Sequence, residues 1–407
     1  MKLCFLGAYD PEYPRNIVIK KGLRRNSIEF SECGLLPRYK FFLRYPILLS
    51  RYLFPYSKHD FFFVPEFCQK DVPLARFLSL LTSKRVIFDP LASRFETKII
   101  DWERKPLDSW QARWNLKIDN WAFKLSDLVL ADTQAHKDYY CRMYGLPQEK
   151  VAVLPVGFDD DIFKPSVVRL PHYVRNDNSQ VVRLPRHYVP RNDIQVVPDK
   201  EERFKNIQVV PDKEERFTVL FYGSFLPLHG VDVILQAAKK VYKKEPSIQF
   251  KIIGSGQTLP KVKSLAGELG LSNVHFEDWL PQDKLPERIT LSDICLGIFG
   301  ETEKARRVVP HKIFQSMGMR KPVITTRTPA VEEVFSHKEN IFLISEPKPD
   351  LLSQAILELK RDKVLRDKIA ENGYELVRQK YSPEAIGRTF ADIIKRYFFT
   401  LKEKKDL

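Results

Sequence analysis

The 407-residue sequence predicts an α/β protein built from two doubly wound parallel-sheet domains. Three observations predict it. Short apolar runs alternate with amphipathic segments from the first residues onward. The alternation stops near residue 166, in a stretch rich in proline and charge, and restarts near 218. Within residues 294–335, two strand-like runs, ICLGIFG and PVITT, are each followed by a helix start, PHKIFQSMGM and PAVEEVF. That order puts helix N-termini at the carboxyl edge of a parallel sheet, where open α/β folds bind ligands.

Taken in order, residues 1–7 (MKLCFLG) read as a strand, 16–26 as a helix and 27–31 as a second strand. Gly7, at the first strand's end, either admits a ligand close to the backbone or simply turns the chain. Residues 38–56 (RYKFFLRYPILLSRYLFPY) are aromatic and basic. They read either as a segment lying on an anionic membrane or as a core helix with snorkelling cations, and Pro46 is expected to interrupt a single long helix. Runs 60–65 and 85–89 read as buried strands, with Glu66 and Asp89 just past their ends. Each carboxylate is either a general base or acceptor-hydroxyl ligand, or a loop cap. Residues 108–125 form an amphipathic helix whose tryptophans, Trp110, Trp114 and Trp121, are expected in the core. A strand at 127–132, a helix at 133–144 and a strand at 151–155 complete the first unit. Asp159–Asp161 lacks the alternating ligands of a calcium loop.

Residues 166–217 duplicate themselves. VVRLPHYVRND nearly recurs as VVRLPRHYVPRND, and IQVVPDKEERF recurs unchanged. Two copies at so short a period do not make a solenoid, so the stretch reads as a linker. The strand–helix pattern then resumes: strand 218–222, helix 231–243, strand 247–253, strand 274–276, helix 285–292. This second Rossmann-like unit runs to 381. Helices are expected at 351–368 and 370–379, a last helix capped by Ser382 to about 400, and a frayed basic tail at 401–407.

Composition bounds the function. A hydrophobic content of 43% supports a sizeable core. Sixty-seven Lys and Arg against 52 Asp and Glu give a net charge of +15, which favours anionic partners. No nucleic-acid motif accompanies that charge, so nucleic acid is not an expected partner. The start lacks a signal peptide and no long uncharged apolar run occurs, so a cytoplasmic protein is expected, placed on the inner membrane face if residues 38–56 bind lipid. Five scattered cysteines and eight histidines show neither C-x-x-C nor H-x-x-x-H spacing. Reduced, buried thiols and no metal are expected.

The chemistry concentrates at 294–335. Pro310 suits a first helical position, and Thr328 an N-cap before Pro329. Helix N-termini favour phosphate, and Lys304, Arg306, Arg307 and Lys312 surround them with positive charge. A solvated basic loop is the competing reading; a diphosphate-bearing ligand is the functional one.

Longer motifs carry a family resemblance. FYGSFLPLHGVDVILQAA (221–238), GSGQ (254–257) and EKARRVVPHKIFQSMGMRKPVITTRTPAVEEV (303–334) resemble the donor-binding half of family 4 glycosyltransferases. SDLVLADTQAHKDYY (126–140) and VLPVGFDDDIFKP (153–165) extend it to the first half. The resemblance implies a GT-B fold: an acceptor-side domain at 1–165, a donor-binding domain at 218–381, and a helix at 382–400 returning to the first domain. It implies retaining transfer of a sugar from a nucleoside diphosphate to a glycan or lipid-linked acceptor in surface-polysaccharide synthesis, without a metal or other cofactor. On this resemblance Gly223, Ser224, His229, Gly254, Arg307, Pro310, Gln315 and Glu332 bind the donor. Lys304, Lys312 and Glu333 act at the reaction centre, and Gly7, Glu66 and Asp89 lie on the acceptor side. The sequence departs from the family at four of these places. Ser224 and His229 stand where an arginine and a lysine are usual, and Arg307 and Gln315 where paired glutamates are. A catalytically silent scaffold and a sugar-nucleotide epimerase are the rival readings.

Overall fold

A computed structural model describes residues 1–37, 41–53, 59–102, 105–165 and 217–399, with three short strands between 173 and 209. The tail at 401–407 and most of 166–217 lie outside the described residues. The first domain is a six-stranded parallel sheet of β1 (Lys2–Ala8), β2 (Glu29–Leu35), β3 (Phe61–Val64), β4 (Arg85–Phe88), β5 (Leu128–Ala131) and β6 (Val151–Val153), ordered β2-β1-β3-β4-β5-β6. The inner strands are continuous apolar runs because helices cover both faces of the sheet. β3, FFFV, is buried at every position. Next, β7 (Tyr173–Arg175) pairs antiparallel with both β8 (Val181–Arg183) and β9 (Gln208–Val209).

The second domain repeats the design with β10 (Thr218–Tyr222), β11 (Gln249–Ile253), β12 (Val274–Glu277), β13 (Ile294–Leu296), β14 (Val323–Thr326) and β15 (Phe342–Ile344), ordered β12-β11-β10-β13-β14-β15. In each sheet the strand order reverses beside the first strand, between β1 and β3 and between β10 and β13. The crevices at these switch points open at the carboxyl ends of the strands.

Several local expectations change. The helix Phe41–Leu53 runs through Pro46. The proline sits in its second turn, and packing on β1 and β2 outweighs the single lost backbone bond. Its cations serve the fold: Arg44 pairs with Asp71 at 3.3 Å and Arg51 donates to the Gly34 carbonyl. The break expected near 369 falls at Asp362, which caps the helix Lys363–Lys380 by accepting from Leu365 N. The tryptophans of the helix Trp110–Leu125 are not core residues. Its buried side holds Ala112, Ile118, Ala122 and Phe123, which leaves Trp110, Trp114 and Trp121 facing solvent. All five cysteines are free and buried.

The last described helices return to the first domain. Helix Pro383–Ile394, capped by Ser382, crosses helix Pro14–Arg25 at two glycines. A Cβ on Gly387 would fall 2.2 Å from the Gly22 carbonyl oxygen, and one on Gly22 would fall 2.4 Å from that of Pro383. Neither backbone can yield without moving a helix. Gly387→Ala is therefore expected to cost about 1–3 kcal/mol through overpacking, read as a lower denaturation midpoint at unchanged denaturant slope.

Candidate functional site

The two carboxyl edges face each other, and the loops leaving them meet. β10 ends at Tyr222, and Gly223 follows at φ +139°. β11 ends at Ile253, and Gly254 follows at φ +142°. Gly223 N donates to the Ile253 carbonyl at 3.0 Å, and Phe225 N to that of Ser255 at 2.8 Å. The loops run so close that a Cβ on Gly254 would lie 1.9 Å from Gly223 O. Glycine is required here for backbone approach.

Beneath Gly223 lies Lys312. A Cβ on Gly223 would be 2.9 Å from its Nζ. The ammonium sits 3.9 Å from the centre of the Phe221 ring and is buried with no hydrogen-bond partner. Burial alone drives its pKa well below the usual lysine value. A buried charge in this state is costly until an anion joins it. His229 closes the same pocket, its Nδ1 against the Ser224 carbonyl. Burial and the charge of Lys312 hold it neutral. Ser224 is exposed at the rim. Lys312 occupies the first turn of helix His311–Gly318, and Pro310 stands at that helix's N-cap, one place earlier than expected. Gln315 is buried in the same helix.

Two of the other three cations, Lys304 and Arg307, reach across to the first domain, while Arg306 is exposed. Lys304 Nζ donates to Thr97 Oγ1 at 3.0 Å and lies 3.4 Å from Asp101. Arg307 pairs with Glu96 and stacks 4.2 Å over the Tyr139 ring. Its backbone carbonyl accepts from Thr133 Oγ1 at 2.5 Å. Glu333 does not serve its own helix. Its carboxylate accepts from Gln134 N at 2.7 Å and Ala135 N at 2.8 Å, so it caps a helix of the other domain. Glu332 pairs with Arg327 at the surface, apart from these contacts.

On the first-domain side, Asp89 accepts from the buried Arg15 Nε at 2.5 Å, and Arg15 also donates to the carbonyls of Pro155 and Leu154. Asp89 is thereby committed to the fold. Glu66 Oε1 accepts from Asn16 Nδ2 at 2.7 Å, while Oε2 is buried without a partner. Burial, then the neighbouring Asp89, pushes its pKa well above the carboxylate range. A protonated Glu66 can give a hydrogen bond but cannot serve as a base. The room beside Gly7 is taken by Cys68, whose Sγ lies 2.9 Å from where a Cβ would stand. Asp159 and Asp161 engage Lys21, and Asp160 and Asp161 engage Arg25, so the three carboxylates already have cations.

Sequence reasoning missed His136. Its Nδ1 lies 2.6 Å from Asp132 Oδ1, and its Nε2 is 3.7 Å from Glu96 Oε2, an ion-pair rather than a hydrogen-bond distance. Burial pulls His136 down, but Asp132 and Glu96 outweigh it and raise its pKa to about 9. Burial pushes Glu96 up, but His136 and Arg307 outweigh it and bring it down to about 2. The fully buried imidazolium and the Arg307 guanidinium thus share one carboxylate across the domain boundary. The only sequence sign was a histidine in the first turn after a strand ending in Ala-Asp.

Residues 202–376 match the family model for glycosyl transferases group 1. The chain is 24% identical over 234 residues to the alpha-D-kanosaminyltransferase of Streptomyces kanamyceticus, covering 56% of this chain and 59% of that one. It is 23% identical over 177 residues to the lipopolysaccharide core biosynthesis glycosyltransferase LpsE of Rhizobium meliloti, covering 43% and 49%. The alignments thus span about half the length of these relatives. Anabaena HepE, solved in complex with UDP, superposes with a TM-score of 0.64 at 16% identity over 97% of this chain and 100% of that one. The two facing sheets are therefore the GT-B arrangement.

The interdomain ion cluster has a defined pH window. His136 titrates near 6.5 in an unfolded chain and near 9 here, so its contribution is complete below 6.5 and lost as pH rises toward 9. Glu96 contributes fully above 4.5 and loses its contribution as pH falls toward about 2. The melting-temperature gap between wild type and His136→Gln is expected to be widest between pH 4.5 and 6.5 and to narrow toward pH 9. A gap that does not change with pH would remove the cluster's charge from the account.

Proposed function

We propose, from the premise that residues 202–376 are a group 1 glycosyl transferase domain in a GT-B frame, that the whole protein transfers a sugar from a nucleoside diphosphate. The acceptor is a glycan or glycolipid of the cell surface, and the anomeric configuration is retained. One observation carries the reading. Lys312 Nζ is buried with no hydrogen-bond partner, directly under the Gly223 backbone at the carboxyl edge of the second sheet. A diphosphate seated on that loop supplies the missing anion.

In this reading the Gly223–Ser224 backbone and the start of helix His311–Gly318 receive the phosphates, with Gly254 keeping the neighbouring loop clear. As the bond from the anomeric carbon to the diphosphate breaks, negative charge grows on the leaving oxygen, and Lys312 offsets it in a pocket shielded from water. Lys312 thereby takes over the charge that Ser224 and His229 do not supply. His229, neutral, positions the loop, and Gln315 lies on the same helix for the nucleoside. Lys304 and Arg307 hold the closed edge of the site against Asp101 and Glu96, and Glu333 fastens it to helix Gln134–Tyr144. On the acceptor side Glu66 offers a hydrogen bond to an incoming hydroxyl, while Asp89 and Gly7 support the wall behind it.

Lys312→Met is expected to weaken nucleoside diphosphate binding about ten- to a hundredfold, the value of one charge-assisted hydrogen bond. The same change should raise thermal stability, because it removes a buried polar group that has no hydrogen-bond partner. Binding should take up a proton as Lys312 recovers its charge, so wild-type affinity should fall as pH rises, and calorimetry in buffers of different ionisation heat reads that proton. A panel of nucleotide sugars, analysed for products with and without acceptor, separates transfer from donor epimerisation. Equal binding of nucleoside diphosphates by wild type and Lys312→Met, or no binding by either, would sink the proposal.

A further inference from the structure

Away from the cleft, the first domain presents a surface that the transfer chemistry does not use. Helix Trp110–Leu125 turns Trp110, Arg113, Trp114, Lys117, Trp121 and Lys124 outward, at the spacing of one helix face. The three indoles are 70%, 45% and 43% exposed. Trp114 and Trp121 meet edge to face with ring centres 6.0 Å apart, and Lys117 Nζ lies 5.0 Å from the Trp121 ring centre. Asp119 of the same helix points inward, accepting from Ser93 Oγ and the backbone N–H groups of Arg94 and Phe95. The outward stripe therefore carries aromatic rings and cations without a carboxylate.

The preceding helix, Val72–Thr82, exposes Phe77, Leu80 and Leu81. It joins β3 to β4, and helix Trp110–Leu125 joins β4 to β5, all neighbouring strands. Consecutive right-handed crossovers lie side by side on one face of a sheet, and these two helices pack against each other. Their outward sides form one apolar and basic surface. It borders the cleft, because Trp102, just ahead of helix Trp110–Leu125, accepts from Gln257 of the second domain at 2.8 Å.

We infer that this two-helix face docks on an anionic lipid bilayer. Indoles prefer the boundary between headgroups and acyl chains, and the interleaved cations match anionic headgroups. The depth of apolar contact is that of a surface-lying helix, and no helix among the described residues is long and apolar enough to span a membrane. The inferred lipid contact falls on helices Val72–Thr82 and Trp110–Leu125; in helix Phe41–Leu53, Arg44 is paired with Asp71 and the exposed Arg51 donates to the Gly34 carbonyl, while residues 38–40 and 54–58 of that segment lie outside the described residues. A lipid-borne substrate held in that bilayer would stand at the mouth of the cleft.

Vesicle binding tests this with no sugar donor present, so its outcome is independent of the proposed reaction. Wild-type protein is expected to bind phosphatidylglycerol–phosphatidylcholine vesicles, with a blue shift in tryptophan emission. Raised salt should weaken that binding, and pure phosphatidylcholine vesicles should bind poorly. Trp110→Ala/Trp114→Ala/Trp121→Ala and, separately, Arg113→Glu/Lys117→Glu should each weaken binding about tenfold or more. The second variant leaves the rings in place and guards against misfolding in the first. Unchanged vesicle binding in both variants, or failure of the wild type to bind, overturns the inference. So does a concentration-dependent dimer that the tryptophan variant abolishes, since the occupant would then be a second copy of the chain.

Discussion

The contact on which both halves depend is Glu96, a buried carboxylate of the first domain shared by His136 beneath it and Arg307 from the second. Each of the three would be costly to bury alone. Together they bring two positive groups and one negative to a point where the carboxyl edges of both sheets converge, with Asp132 compensating the histidine from below. Thr133 fixes the Arg307 backbone, Glu333 caps helix Gln134–Tyr144 from the opposite side, and Lys304 reaches Asp101 close by. The seam is polar where most domain cores are apolar, so its strength follows protonation and the anions present.

This seam explains how charge is divided in the second domain. Four cations crowd the loop and helix from Lys304 to Lys312. Lys304 and Arg307 are spent on first-domain carboxylates. Lys312, shielded from those carboxylates beneath the Gly223 loop, is left buried without a hydrogen-bond partner. Local charge density alone would have treated the four alike. Burial and reach separate them: Lys304 and Arg307 join the domains, Lys312 is suited to receive a ligand, and Arg306 is exposed.

Much of the fold was legible because its signals are local. Gly223 and Gly254 announced tight loops at strand ends, Thr328 announced a helix start, and the stretch from 166 announced the end of the first sheet. The His136–Glu96–Arg307 contact was not legible, since Arg307 and Glu96 lie 211 residues apart and meet only after both domains have folded and closed. Glu333 reads from the family resemblance as a reaction-centre residue, because sequence proximity says nothing of the foreign helix end that its carboxylate caps. Trp110, Trp114 and Trp121 read as core because three-to-four spacing marks a face without saying which face turns inward. Ala112, Ala122 and Phe123, which let the helix approach the sheet, were the better guide.

The chain passes between domains at two places that touch. Gly157, at φ +68°, has the Tyr381 carbonyl oxygen 2.8 Å from where a Cβ would stand, and Phe158 N donates to that oxygen at 3.2 Å. Two crossings bonded together fasten the halves at one end of the seam, and Lys304 with Asp101 and Gln257 with Trp102 fasten them again at another. A Cβ at Gly157 would press on the Tyr381 carbonyl and so on both crossings at once.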